Sequence, residues 1–117
     1  MKIKTNELTD TPLAWAVAKI LQLEIDDTEK TVLFYEGEPF LPDTYWHQGG
    51  PIIEQEGICL CFNPEDADWE AYVVCEDKKF GGIERFECTG PTPLIAAMRC
   101  FVASRLGDEV DVPEELQ

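Results

Sequence analysis

The sequence is poor in basic residues and has almost no histidine. Nine lysines and arginines stand against 24 aspartates and glutamates, which gives a formal charge of −15, and there is one histidine. Nine scattered cations build no basic stripe that could neutralise a phosphate backbone, which argues against direct binding of nucleic acid. The excess of acids favours either a well-solvated surface or a face that docks a basic partner.

Sequence patterns typical of catalytic and cofactor sites are also lacking. His47 has no serine or cysteine partner in a recognised nucleophile motif. The glycine pairs at 49–50 and 81–82 are too short for a dinucleotide-binding or phosphate-binding loop. Pairs of acids such as Glu54 with Glu56 are expected by chance at this acid content. We therefore expect no enzymatic activity and no cofactor.

The five cysteines are an odd number and contain no Cys-x-x-Cys pair. The single histidine lies far from them, so the spacing argues against a structural zinc site. The chain also lacks a signal-peptide pattern and an apolar run of about 18 residues. We therefore expect a cytoplasmic protein without a membrane span, in which all five thiols are free and Cys100 is buried.

One stretch of the sequence marks a helix at both ends. Thr92 is suited to the N-cap, Pro93 to the first helical position and Gly107 to the C-terminal stop. Between them apolar residues recur with helical spacing, which predicts a largely covered helix over about 93–106. These residues are Ile95, Met98, Val102 and Leu106.

A second Thr-Pro-Leu start at 11–13 predicts another helix over about 12–22. Segments rich in β-branched and aromatic residues predict the strands: 31–35, 58–62, 69–75 and a short one within 83–88. A polar turn between the two middle strands indicates an antiparallel hairpin. We therefore expect residues 1–117 to form one α+β domain, a small antiparallel sheet with two helices packed on one face, and an acidic, extended tail from about 108.

The segment from Tyr45 to Gly50 is the best candidate for a binding site. We predict it as a loop that bends at two glycines before Pro51. Its aromatic rings offer stacking faces, its amide side chain offers a donor and an acceptor, and its glycines allow close approach of the backbone. The candidate residues are Tyr45, Trp46, His47, Gln48, Gly49 and Gly50. The alternative is that Trp46 fills the core beside a tight turn.

Arg99 is a cation in the middle of an apolar helix, so it must find a partner. A buried carboxylate or a cluster of carbonyls is one solution, and a phosphate or an acidic ligand is the other. If the 45–50 segment folds over the helix, Trp46, Gln48 and Arg99 form a site suited to a base with a phosphate. If it does not, Arg99 serves the core and the segment is scaffold.

Two long stretches of the sequence resemble a known family. The stretch WHQGGPIIE at 46–54 and the stretch at 90–110 are similar to the NinX-like proteins of tailed bacteriophages and prophages. The opening MKIKTNELT and the WAVAK at 15–19 fit the same pattern. The resemblance covers nearly the whole length except about 24–42 and 76–88. It implies one NinX-like domain, a phage accessory protein in a bacterial host, without assigned biochemical activity or catalytic residues to carry over.

Two functions remain open at this point. In the first, a non-enzymatic accessory protein in the host cytoplasm uses its acidic surface to occupy a basic host protein, as in counter-defence or mimicry of nucleic acid; the charge of −15 favours this. In the second, the residues of the 45–50 segment and Arg99 sequester a nucleotide-like host signal. Neither function involves a metal, a membrane or direct contact with nucleic acid, and a homo-oligomer stays open in both.

Overall fold

The computed structural model describes residues 2–77 and 81–116, which contain three helices and seven strands. The helices are α1 (Asp10–Leu21), α2 (Trp46–Glu56) and α3 (Pro93–Leu106). The strands are β1 (Lys2–Lys4), β2 (Phe34–Tyr35), β3 (Glu38–Pro39), β4 (Cys59–Asn63), β5 (Asp68–Asp77), β6 (Gly82–Gly90) and β7 (Glu109–Asp111). Single 3-10 turns lie at Thr5–Glu7 and Glu114–Leu116. The strands pair antiparallel throughout, which confirms the α+β class.

Helix α3 is the element on which most of the others pack. Its start and end are as predicted: the Thr92 hydroxyl accepts a hydrogen bond from the Ile95 amide at 3.1 Å, and Gly107 follows the last residue with a φ of 89°. Met98 and Phe101 are almost inaccessible to solvent. The sheet formed by β4, β5 and β6, the helix α1 and the helix α2 all pack against α3, so this helix lies in the core.

The three-stranded sheet confirms the predicted hairpin and extends it. Strand β4 pairs with β5 from Cys59 opposite Tyr72 to Asn63 opposite Asp68. Strand β5 then pairs with β6 from Trp69 opposite Gly90 to Asp77 opposite Gly82. Ala71 and Val73 are buried on one face of the sheet, as expected because successive residues of a strand point to opposite faces.

The acidic tail, predicted to be extended, forms a strand that is part of the fold. Strand β7 pairs with β1 at the opposite end of the chain, with Val110 opposite Ile3. Val110, Val112 and Leu116 are buried, and the tail then turns into the 3-10 segment instead of remaining extended. Alternating acids and apolar residues therefore serve as a half-buried strand here.

The structure contradicts the prediction of a loop over residues 46–50, which instead form the first turns of α2 with Pro51 inside the helix. Glycine and proline are poor helix formers, and this made the segment look like a bend. Packing overrides that preference at Gly49. A Cβ atom there would lie 2.2 Å from the Pro42 carbonyl oxygen and 2.7 Å from Leu94 Cδ2, so the close approach of α2 to α3 requires a glycine. The fold thus has a third helix, which positions the candidate site.

Candidate functional site

The structure separates the predicted site residues into three surroundings. His47 and Gln48 line a groove beside α2, and Tyr45 stacks on His47 with ring centroids 5.4 Å apart. Trp46 lines a smaller cavity at the start of α3. Arg99 lies in the core, so the arginine and the 45–50 segment do not form the combined site for a base and a phosphate.

Arg99 is satisfied by a cluster of backbone carbonyls, the first of the two solutions expected for it. Its side chain is 8% exposed, its Nε donates to the Leu8 carbonyl at 2.8 Å, and its Nη1 donates to the Thr89 carbonyl at 2.8 Å. Burial lowers the pKa of the guanidinium, and the nearby Cys88, Asp43 and Glu7 oppose that shift. Arg99 thereby ties α3 both to the segment before α1 and to β6.

Trp46 does not fill the core, which overturns the alternative considered for it. Its side chain is 55% exposed on the first turn of α2. It lines a cavity of about 280 Å³ together with Asp43, Thr44 and residues 92–95. The ring is thus available as a stacking face.

The groove is the largest concave feature near the predicted segment, with a volume of about 480 Å³. It lies between the end of α1, the β2–β3 hairpin and α2. Its lining residues are Leu21, Leu23, Tyr35, Glu36, Glu38, Phe40, His47, Gln48, Pro51, Ile52 and Gln55. Apolar side chains make up most of this lining, while carboxylates, an imidazole and amides stand among them. An apolar floor with a few polar groups is typical of a binding site.

A hydrogen-bond network at the rim fixes the groove's shape. His47 Nε2 lies 2.9 Å from Glu38 Oε1, to which Gln48 Nε2 donates at 2.6 Å. Gln48 Nε2 also donates to the Pro39 carbonyl at 2.9 Å, and Gln48 Oε1 accepts from the Leu41 amide at 2.6 Å. The amide predicted to meet a ligand is therefore fully used inside the protein, where it ties α2 to β3 and the residues after it.

The groove is strongly acidic. The hydrogen bonds from His47 and Gln48 lower the pKa of the Glu38 carboxyl, which keeps it ionised at neutral pH. The charge of Glu36, with a smaller effect from Glu24, raises the pKa of the Tyr35 hydroxyl, because a second negative charge nearby is unfavourable. No lysine or arginine is among the described residues that line the groove. Its rim thus presents negative charge next to apolar surface.

The cysteines behave as the composition indicated. All five are free, and Cys100 is buried as predicted from its place on the helix. Burial raises the pKa of Cys88 to about 11 and that of Cys100 to about 12, so both thiols are protonated and unreactive at neutral pH. Residues 2–77 and 81–116 contain no cluster of three or more metal-ligating side chains, and no helix within them has the length and apolar character to cross a bilayer.

Sequence reasoning missed the hairpin that forms one wall of the groove and the carboxylate of Asp43. The Glu36–Gly37 pair could have indicated the turn. Both residues have a positive φ, which suits the two central residues of a hairpin loop. Asp43 carried no such signal. Its burial depends on contacts between segments distant in sequence.

One family model matches most of the described chain. The family model described as Bacteriophage P22, NinX matches residues 4–105. That range includes α1, α2, all but the last residue of α3 and every residue that lines the groove. None of the curated proteins matches the chain.

Proposed function

Because the chain belongs to the bacteriophage P22 NinX family, we propose that it is a phage accessory protein that works by docking a basic segment of a host protein in the groove beside α2. The observation that carries this proposal is the combination of an apolar floor with the carboxylates of Glu36 and Glu38 at its rim. The overall charge of −15 adds long-range attraction for a basic partner.

The chemistry of the groove defines the partner. An apolar side chain would bury itself against Phe40 and Ile52, and a flanking lysine or arginine would pair with Glu36. Glu38 is already held by two donors, so Glu36 is the carboxylate with more capacity for a new ion pair. The partner segment is therefore amphipathic and basic, not uniformly charged.

The same surroundings support a non-enzymatic role. The groove lining contains no serine, threonine or cysteine that could act as a nucleophile, among the residues the structure describes. The imidazole of His47 is engaged by a carboxylate and stacks on Tyr45. The proposed activity is therefore occupation of the partner in the host cytoplasm, not chemical modification of it.

The test is a pair of charge reversals that alter the net charge equally. Glu36→Lys places a cation at the groove, and Glu65→Lys places one at the exposed turn before β5. Each variant and the unchanged protein are used to capture proteins from host lysate at about 0.05 M and at about 0.2 M salt. The screening length is below about 15 Å at both concentrations and is shorter at the higher one, so long-range attraction is weaker there. We expect the same basic host protein with the unchanged chain and Glu65→Lys, more at the lower salt, and its loss with Glu36→Lys.

Two results would contradict the proposal. Equal loss in both variants would mean that net charge alone attracts the partner, and equal retention would mean that the groove is not the docking site. Thermal unfolding of both variants is measured in parallel, because a loss of capture is informative only in a folded protein.

A further inference from the structure

The cavity beside Trp46 contains an unusual buried carboxylate. Asp43 is 5% exposed, and its Oδ1 has no hydrogen-bond partner in the described part of the chain. Most buried acceptors in proteins are paired, because an unpaired one loses its hydration without compensation. Asp43 is also one of the residues that line a cavity of about 280 Å³ open to solvent.

The surroundings of Asp43, which include the nearby guanidinium of Arg99, compensate its negative charge incompletely. The backbone of Asp43 and of Asp10 and the Thr44 side chain favour the ionised form of the carboxyl group. Burial is the larger effect, however, and together with the nearby Asp10 it raises the pKa of Asp43 above its ordinary value. A ligand that donates a hydrogen bond and carries positive charge would supply what is missing.

The start of α3 forms another wall of the cavity, and it is poorly suited to an anion. The Thr92 hydroxyl already accepts the Ile95 amide hydrogen, and Pro93 has no amide hydrogen to offer. The partial positive charge of the helix end counts against a cation, but it is about half an elementary charge and faces the full charge of the Asp43 carboxylate. The electrostatics therefore favour a cationic ligand.

The exposed indole completes the arrangement. Trp46 is 55% exposed and lines the same cavity as Asp43, with Pro93 and Ile95 as further apolar surface. We propose that this cavity binds a guanidinium group, which donates to Asp43 Oδ1 and stacks on the ring of Trp46. A guanidinium fits better than an ammonium because it is planar, stacks on aromatic faces and is more weakly hydrated. Because Oδ1 is itself buried, the side chains that cover it must move aside as the ligand enters.

The ligand has two sources with the same chemistry, an arginine side chain of a partner protein or a small free guanidinium compound. The first source rests on the proposed function, since it would make the cavity a second anchor for the basic partner. The second does not. Binding of methylguanidinium to the full chain tests the shared chemistry without any partner.

The experiment follows the indole N–H signals of Trp15, Trp46 and Trp69 by NMR while methylguanidinium chloride is added, with sodium chloride as the ionic-strength control. We expect a saturable shift of the Trp46 signal alone, and a weaker response to methylammonium. Asp43→Asn, which keeps the shape and removes the charge, should weaken binding about tenfold, equivalent to about 1.4 kcal/mol. Asp27→Asn, an exposed acid elsewhere, should leave it unchanged.

The proposal is overturned if Trp46 shows no saturable shift, or if Asp43→Asn binds methylguanidinium as tightly as the unchanged chain. Should Asp43→Asn fail to fold, Trp46→Ala retains the test, because an exposed ring contributes little to the core. Its binding, followed through the Thr44 amide signal, should then be at least about threefold weaker through loss of the stacking face, and unchanged binding overturns the proposal.

Two further measurements separate this inference from the proposed function. Glu36→Lys should abolish capture of the host partner and leave methylguanidinium binding intact, so each site can fail alone. An excess of methylguanidinium that displaces the captured partner identifies an arginine of that partner as the ligand. Capture that is indifferent to methylguanidinium identifies a small free compound.

Discussion

Polar side chains on α3 and on α2 form two hydrogen-bond networks, and the two networks differ in their exposure to solvent. On α3 the guanidinium of Arg99 is buried and donates to the carbonyls of Leu8 and Thr89. On α2 the side chains of His47 and Gln48 meet Glu38 at the surface, where His47 and Glu38 have side chains 63% and 53% exposed. The first network is enclosed by the protein, whereas the second still faces solvent.

The difference indicates where function resides. The buried cation of Arg99 is satisfied within the protein by two carbonyls, so it needs no group from outside. A charged group at the surface of a groove can exchange its solvent for a partner at little cost. Of the two networks, the one on α2 can therefore contribute to recognition, while the one on α3 maintains the scaffold. The following changes test this distinction.

The largest effect is expected for Arg99→Met. The substitution keeps an apolar stem but leaves two carbonyls, of which at least one is buried, without donors. An unsatisfied buried group typically costs about 1–3 kcal/mol, so the free energy of unfolding should fall by about 2–5 kcal/mol. Urea denaturation gives this value. A loss below about 1 kcal/mol would mean that Arg99 is dispensable and that the buried network is not structural.

A smaller but still large loss of stability is expected for Gly49→Ala, at the point where α2 contacts the core. In Gly49→Ala the added Cβ would meet the Pro42 carbonyl oxygen at 2.2 Å and Leu94 Cδ2 at 2.7 Å, so the helix must shift. Overpacking of this kind typically costs about 1–3 kcal/mol, occasionally more. The neighbouring Gly50→Ala is the matched control, because its Cβ would meet only Trp46 Cε3 at 3.8 Å.

The two glycine variants should differ clearly in stability. Alanine is favoured over glycine within a helix by about 0.5–1 kcal/mol, but Gly50 precedes Pro51, whose ring disfavours helical backbone for a preceding residue with a Cβ. Because these two effects oppose each other, Gly50→Ala should change the melting temperature much less than Gly49→Ala lowers it. An equal loss in both variants would show that contact with Pro42 and Leu94 is not what requires a glycine at position 49.

This pair of glycines also explains how far the sequence alone can predict the fold. The ends of α3 are determined by adjacent residues, Thr92 with Pro93 and then Gly107, so a local rule finds them. Helix α2 has the opposite local signal, because Gly-Gly-Pro is typical of a bend. Its helical state depends on a contact between Gly49 and α3, which lies about 45 residues later and cannot be read from local spacing.

The candidate site was predictable to a similar degree. Trp46 and His47 are exposed, so the 45–50 segment stays a candidate for binding, but the predicted loop missed that a helix directs them to different cavities. In a helix, consecutive residues point in different directions, so the pairing of Trp46 with Asp43 and of Gln48 with Glu38 follows only once the helix is known. The composition indicated the acidic character correctly.

An intermediate effect is expected for Gln48→Ala, at the boundary between the two kinds of network. Its amide accepts from the Leu41 amide at 2.6 Å and donates to the Pro39 carbonyl at 2.9 Å, and both bonds are partly buried. Their loss should lower the free energy of unfolding by about 1–2 kcal/mol in urea denaturation. Gln55→Ala, on the same helix and also lining the groove, is the control and should be near neutral.

The smallest effect on stability is expected for His47→Ala, which removes an exposed partner of Glu38. The pKa of the Glu38 carboxyl is lowered in the folded protein, first by His47 and then by Gln48, so this carboxylate stabilises the fold above its unfolded pKa. That contribution disappears as the pH falls through the lowered pKa. Without His47 the pKa of Glu38 should move back towards its ordinary value, as an NMR titration of the carboxyl would show. The melting temperatures of the two proteins should therefore differ slightly at pH 7 and converge as the pH falls below the lowered pKa of Glu38.

Binding should respond to the same substitution more than stability does. His47 occupies an oxygen of Glu38 that a lysine or arginine of the partner would otherwise use, so its removal should tighten capture of the basic partner at low salt. Arg99→Met, by contrast, should weaken capture only to the extent that it unfolds the protein. If His47→Ala weakened capture while Glu38 remained ionised, the imidazole itself would contact the partner, and recognition would depend on the ring stacked against Tyr45 instead of on the carboxylate.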